Sequence, residues 1–217
     1  MEFCAATGNA GKLKEIRRIL ERQGHTVKSQ KELGITLEPE ETGVIFAENA
    51  EIKAKAICMA AQMPTIADDS GLAVTALGGA PGVYSARYCG RHGDDEANND
   101  KLLEALQNVP KQDRGAKFIS AVCVYFPDHR SYLFEGECPG FVGTERRGSN
   151  GFGYDPVFIP ARVGVPEGGT RLNDEERSYA ELADAEKDAI SHRGDAMAKM
   201  EQKLPGLILQ HELQGKA

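Results

Sequence analysis

Short apolar runs alternate with stretches of helical periodicity along this chain, and that alternation restricts it to a layered α/β architecture. Residues 2–7 read as a short buried strand. Gly8-Asn9-Ala10-Gly11 then turn the chain into a helix over residues 12–23, where Leu13, Ile16, Ile19 and Leu20 recur at helical spacing. A second helix lies within residues 44–63. Ile52, Ala56, Met59, Ala60 and Met63 share one of its faces, while Glu48, Glu51 and Lys55 fall elsewhere. Thr65-Ile66-Ala67 is a short strand that delivers Asp68 and Asp69, and Leu72-Ala73-Val74 follow it. A glycine-rich loop over residues 78–82 leads to a third helix over residues 94–106. Residues 117–126 and 130–136 read as a hairpin across Pro127-Asp128, and residues 156–159 as another strand. Residues 161–173, rich in Gly and Pro, read as a mobile loop. A helical region follows over about residues 179–203, and the tail from Leu204 carries no strong signal. No repeat, low-complexity tract or long linker divides the 217 residues, a length that suits one domain or two close lobes.

Charge and cysteine usage narrow the partners. The formal charge is −7 and no long Lys/Arg run is present, which disfavours a nucleic-acid binder, whose affinity comes largely from neutralising phosphates. A small free anion suits the chain better. No run approaches the roughly 20 apolar residues of a membrane-spanning helix. The start, Met1-Glu2-Phe3-Cys4, lacks the basic and apolar regions of a secretory signal, so the expected address is the cytoplasm. Cys4, Cys58, Cys89, Cys123 and Cys138 are odd in number and contain no CxxC spacing, so reduced thiols are expected rather than a disulfide framework or a zinc site.

Several segments carry residues suited to chemistry. Thr7, Gly8, Asn9, Ala10, Gly11 and Lys12 form a strand-to-helix turn. As residues alone, this is either a helix-capping turn or a phosphate site, because glycines and free amides at a helix start admit an oxyanion. It is not a Walker loop: the spacing from Gly8 to Gly11-Lys12 is too short, and Leu13 stands where a Ser or Thr is needed. Adjacent carboxylates at Asp68 and Asp69 repel each other unless a cation or hydrogen bonds compensate, and an extended backbone sends them to opposite sides. One can then serve a metal and a water while the other is structural, with Ser70 available to a phosphate oxygen. An acidic turn capped by serine is the plainer reading. Glu38, Glu40 and Glu41 offer a further carboxylate for magnesium or form a solvated loop. Lys53 either faces phosphates or lies on the surface.

A second group suits a flat base. Asn150-Gly151-Phe152-Gly153-Tyr154-Asp155-Pro156 would make a poor central strand, and Phe152 on a glycine-rich backbone suits base stacking, worth about 1–3 kcal/mol in nucleic-acid complexes. His192 and Arg193 supply donors that match the O6 and N7 acceptors of a 6-keto purine, whereas adenine presents a donor at position 6. Lys187 lies about one turn earlier. A helix-end pair is the alternative for His192 and Arg193.

In this order the segments resemble the inosine/xanthosine triphosphate pyrophosphatase family, and the match covers nearly the whole chain. It runs through Thr7–Lys12, Glu41-Thr-Gly43, Phe46-Ala-Glu-Asn-Ala50 with Lys53, and Ala67-Asp-Asp-Ser-Gly-Leu72. It continues through residues 79–88, Asn150-Gly-Phe-Gly-Tyr-Asp-Pro156 and Ile190-Ser-His-Arg193. The resemblance implies an α/β fold with an elongated central mixed sheet flanked by helices, made of two lobes with a cleft between them, and a homodimer. It implies magnesium-dependent hydrolysis of dITP/ITP and XTP to monophosphate and pyrophosphate, with no nucleic-acid or membrane partner. Asp69 looks like the residue that activates water and binds magnesium, and Glu41 like a second metal ligand. Thr7 to Lys12, Lys53 and Ser70 match phosphate-side positions. Phe152, Gly153, Tyr154, Asp155, Lys187, His192 and Arg193 match positions around the base. Two departures are visible: residues 161–177 form a longer link than the family pattern, and Glu145-Arg146-Arg147-Gly148 lacks the usual proline before the arginine. A pyrophosphatase for modified pyrimidine triphosphates and a nucleotide-binding protein without turnover are the competing readings.

Overall fold

The computed structural model describes residues 1–214; strands alternate with helices in the first half, and a run of strands closed by two helices makes up the second. The first half contains β1 (Glu2–Ala5), α1 (Ala10–Glu21), β2 (Thr26–Ser29), α2 (Phe46–Ala61), β3 (Thr65–Val74) and α3 (Asp95–Ala105). The second half contains β4 (Gly115–Tyr125), β5 (Ser131–Val142), β6 (Phe158–Pro160), β7 (Arg162–Gly164), β8 (Thr170–Leu172), α4 (Asp184–Asp188) and α5 (His192–Gln214). Six strands form one sheet in the order β2-β1-β3-β4-β5-β6. β1 is parallel to β2 and β3, whereas β6 is antiparallel to β5, so the sheet is mixed.

The chain divides into two compact units. The first holds residues 1–69, 120–136 and 195 onward; the second holds residues 70–119 and 137–194. Within the first, strand alternation sorts the core into two clusters. Phe3, Ala5, Ile66, Val122 and Val124 pack with Ile16, Ile19 and Leu20 of α1 and with Met197, Met200 and Leu204 of α5. Their neighbours in the chain, Cys4, Ala6, Ala67, Ala121 and Cys123, pack with Ala50, Ala54, Ile57 and Cys58 of α2. Because side chains point alternately to opposite faces, α1 and α5 cover one face of these strands and α2 the other. Burial on both faces explains why the strands read as apolar runs.

The second unit has its own core, in which Leu72 and Val74 meet Leu102 of α3, Leu106 just past its end, Phe118 of β4 and Phe158 of β6. Arg114 is buried there, and its guanidinium donates to the carbonyls of Leu106, Val109 and Gly143 at 2.7–2.9 Å. That places a cation on a carbonyl just past the end of α3, where the helix dipole favours it.

The structure departs from the sequence expectations at four places. The short strand at residues 65–67 does not stop at the carboxylates: β3 runs unbroken through Asp68, Asp69, Ser70 and Gly71, paired with β4 on one side, while β1 meets only Thr65 and Ile66 on the other. Gly71 permits this run, since a Cβ there would lie 2.5 Å from the Gly82 carbonyl oxygen. β2 was not anticipated from the pattern; it is a four-residue edge strand with alternating burial. Residues 161–173 are not a structureless loop. They contain the antiparallel pair β7 and β8, closed through Gly168 and Gly169, both at φ +89°. Val163 is fully buried and anchors the pair.

The C-terminal region also differs from its expected form. In place of one helical stretch over residues 179–203 there is a 3-10 turn (Tyr179–Glu181), the short α4 and then α5. α5 continues through Pro205 to Gln214, although no element was expected from Leu204 on; residues 215–217 of that tail lie outside the described residues. Proline removes one helical hydrogen bond. Leu204, Leu207 and Ile208 nevertheless keep helical spacing and pack on the core, which offsets the loss.

Candidate active site

The carboxylates of β3 are sorted by the two faces of the sheet. Asp68 faces α1: its Oδ2 lies 2.9 Å from Lys12 Nζ, and its Oδ1 accepts a hydrogen bond from Ser120 Oγ on β4. The Asp68 side chain is fully buried, so this pairing is what makes its charge tolerable. Asp69 faces α2: Lys53 Nζ donates to its Oδ1 at 3.0 Å and to the Asp68 main-chain oxygen at 3.1 Å. Lys53 Nζ also lies 2.9 Å from Glu41 Oε1. Burial opposes the charge on Lys53, but Asp69 and Glu41 more than offset it, and its pKa is raised overall. Asp69 Oδ2 is buried and has no hydrogen-bond partner. A buried carboxylate oxygen without a donor is costly in a protein alone, and it is an oxygen that a cation or water can use.

Of the three glutamates before α2, the structure selects Glu41; Glu38 and Glu40 are exposed. Its loop is fixed by the start of α2. The Gly43 amide donates to Asn49 Oδ1 and the Val44 amide to Glu48 Oε2, both at 2.8 Å. A Cβ on Gly43 would lie 2.6 Å from Asn49 Oδ1, which explains the glycine.

The Thr7–Lys12 turn opens α1. The Asn9 amide donates to Thr7 Oγ1 at 3.1 Å, and Asn9 Oδ1 caps the helix by accepting from the Lys12 amide at 3.0 Å. Gly8, Asn9 and Ala10 are exposed, and a Cβ on Gly8 would meet nothing within 4 Å. The turn is thus both a helix cap and an open helix N-terminus, where amides and the dipole favour an anion. Asp69, Glu41, Lys53, Asp68 and Lys12 form one connected network with it in the first unit.

In the second unit, Phe152 carries cations over its ring. Lys187 Nζ lies 5.0 Å and Arg193 Cζ 5.9 Å from the ring centre. Asp155 Oδ2 organises this group: it accepts from the Phe152 amide at 2.9 Å and lies 2.7 Å from Lys187 Nζ. A Cβ on Gly151, which has φ +78°, would lie 1.9 Å from the same oxygen. Arg193 is buried and donates through Nη2 to Ser70 Oγ at 3.0 Å. Ser191 Oγ caps the start of α5 by accepting from the Gly194 amide at 2.9 Å, so His192 and Arg193 fall in the first turn of that helix.

Two residues of the base group have their side chains committed inside the fold. Tyr154 is buried and donates its hydroxyl to the Ser85 carbonyl at 2.9 Å; burial pushes its pKa up. The His192 ring stacks on Phe118 at 4.6 Å and 10°. Sequence reasoning missed Ser120, whose hydroxyl serves Asp68, and Phe118, which backs His192. Both lie on the long strand β4, and nothing in their local sequence marks them.

Residues 3–203 match the model of the Ham1 family. A dITP/XTP pyrophosphatase of Bacillus subtilis (strain 168) is 45% identical over 203 residues, covering 94% of this chain and 96% of that protein. A protein of the same name from Haemophilus influenzae is 46% identical over 203 residues, covering 92% and 96%. Among solved structures, a HAM1 protein from Coxiella burnetii matches with a TM-score of 0.79 at 36% identity, covering 95% of this chain and 99% of that one.

Proposed function

The chain belongs to the Ham1 family, and from that membership we propose that it is a pyrophosphatase of dITP and XTP, releasing the nucleoside monophosphate and pyrophosphate in a magnesium-dependent reaction. The observation that carries the chemical half is Asp69, a buried carboxylate with one oxygen on Lys53 and the other without a hydrogen-bond partner.

The residues present fit a magnesium ion. Asp69 Oδ2 has no donor to displace, and Glu41 shares Lys53 with Asp69. Among the described residues no group of three His, Cys, Asp or Glu side chains is assembled for a metal. Magnesium is commonly held by one or two carboxylates together with substrate phosphates, which suits Asp69 and Glu41. When bound, the ion offsets the charge that develops on the phosphates.

The chain's own residues supply the rest. Asp69 accepts a proton from the attacking water. Lys12, fixed by Asp68, and the open amides of the Thr7–Lys12 turn hold the leaving pyrophosphate. Lys53 holds Asp69 and Glu41 together through ion pairs at 3.0 and 2.9 Å. Phe152 stacks on the base, and the positive groups of Lys187 and Arg193 near its ring favour the acceptor edge of a 6-keto purine over adenine. A homodimer is part of the same proposal and is tested by light scattering.

The test is pyrophosphate release from dITP, XTP, dGTP, dATP and dTTP. Release confined to dITP and XTP supports both halves. Release mainly from dTTP or an ordinary purine keeps the phosphate chemistry and removes the base assignment. Tight binding of dITP without release favours a nucleotide-binding protein.

A further inference from the structure

Both main-chain hydrogen-bonding groups of Gly153, next to the aromatic platform, are taken by one helix. Its amide donates to Asp95 Oδ2 at 2.7 Å, and its carbonyl accepts from Asn99 Nδ2 at 2.8 Å. Asp95 and Asn99 are one turn apart on α3, so they lie on one face of it. Gly153 has φ +60°, and a Cβ there would meet nothing within 4 Å. Its glycine therefore serves the left-handed backbone rather than close packing.

The Asn99 amide is committed to this task. It is 2% exposed, and its Nδ2 also donates to the Asp95 carbonyl at 2.8 Å. Its Oδ1 is buried with no hydrogen-bond partner. The reverse orientation of the amide would set an oxygen against two carbonyl oxygens. The fold thus accepts one unpaired acceptor to keep two N–H bonds, one of them to residue 153.

α3 is itself firmly seated. Asp94, not Asp95, caps it by accepting from the Ala97 amide. Arg146 pairs with Glu96 and Asp100 on the same helix at 2.6 and 2.9 Å.

We propose that Asp95 and Asn99 are positioning residues for base recognition: they clamp the Gly153 backbone from α3 and so fix the direction in which Phe152 presents its ring. This rests on the assignment of Phe152 to the base. Neither residue acts on phosphates, so their loss weakens capture of the whole nucleotide and leaves phosphate binding alone.

The test compares Asn99→Leu, Asp95→Ala and Asp95→Asn with the wild type, reading kcat and KM for dITP and the inhibition constant of inorganic pyrophosphate, which has no base. Asn99→Leu and Asp95→Ala are expected to raise KM about tenfold with kcat nearly unchanged, the pattern of lost uniform binding. Asp95→Asn keeps an acceptor for the Gly153 amide and is expected to restore a KM close to the wild type. The pyrophosphate constant is expected to stay unchanged throughout. Should Asn99→Leu fail to fold, the contrast between Asp95→Ala and Asp95→Asn decides alone. An unchanged KM in the disrupting variants, or a pyrophosphate constant that rises in step with KM, overturns the clamp while leaving the enzymatic reading intact. A wild-type protein that releases no pyrophosphate from dITP or XTP removes the enzymatic reading and the clamp with it.

Discussion

Asp68 and Asp69 are consecutive in the chain, yet their carboxylates answer to lysines on opposite faces of one sheet: Asp68 to Lys12 at 2.9 Å and Asp69 to Lys53 at 3.0 Å. Strand alternation achieves this without any special backbone, since β3 simply continues through both residues. Two like charges that would repel in a turn are separated by the sheet, and each meets a cation carried by a different helix layer.

The two residues should therefore fail differently. Asp69→Asn is expected to lower turnover by about 10²–10⁴-fold, the usual share of a general base, with little change in melting temperature. Asp68→Ala removes the buried acceptor shared by Lys12 and Ser120 and is expected to cost about 3–5 kcal/mol of stability. Paired activity assays and denaturant titrations check this. Equal losses of stability in both variants would contradict the division of roles.

Gly151→Ala probes the base platform by steric means alone. The added methyl group falls on Asp155 Oδ2 at a backbone φ of +78°, so the carboxylate must leave the Phe152 amide and Lys187. A rise of about tenfold or more in KM for dITP is expected, because small misplacements of a positioning group are costly. Inhibition by inorganic pyrophosphate should not move. A KM equal to that of the wild type would show that Asp155 does not organise the platform.

The thiols should separate by reactivity. Burial pushes Cys4 and Cys58 up to about 11 and Cys123 up to about 12, and Cys138 is also buried, while Cys89 is half-buried. The thiolate is the reactive form. Native protein treated with iodoacetamide at pH 8 is expected to be modified at Cys89 first, as read by peptide mass spectrometry. Early modification of Cys123 would contradict the packing of its cluster.

Acid stability follows from Asp128. The bonds from Arg130, and then that from His211, outweigh desolvation and hold its carboxyl well below the usual range. The folded pKa lies below the unfolded value of about 3.9, so this stabilisation is complete above roughly pH 4–5 and is lost as the pH falls toward the folded value. Glu181, through the Ser178 amide, and Glu186, through Arg177, shift in the same direction. Thermal melts between pH 2 and pH 7 should steepen below about pH 4, and Asp128→Asn should flatten part of that slope. A slope identical in the variant would remove Asp128 from this account.

Much of this was legible in the residues, and the rest was hidden for identifiable reasons. Leu13, Ile16, Ile19 and Leu20 announced α1 because their period matches the helix that packs on β1. The carboxylates and Lys12 were legible as types, and alternation already sends Asp68 and Asp69 to opposite sides; which lysine meets each was not legible, since Lys12 and Lys53 are carried by two different helices. Asn99 and Ser120 left no local signal for their roles: Gly153 is 54 residues from Asn99, and Asp68 is 52 residues from Ser120. The hairpin β7–β8 was masked by the Gly and Pro of its turn, and only Val163, buried inside, betrays a strand. Leu204, Leu207 and Ile208 did carry helical spacing, but Pro205 between them obscured it.

The central claim is that this site splits a triphosphate at the bond that frees pyrophosphate, with the help of Asp69 and a magnesium ion. The most direct measurement is phosphorus NMR of dITP incubated with the wild-type protein, with magnesium present or removed by chelation. The account predicts monophosphate and pyrophosphate in equal amounts with magnesium, and unchanged dITP without it. Diphosphate with orthophosphate as products, or equal turnover after chelation, would contradict it.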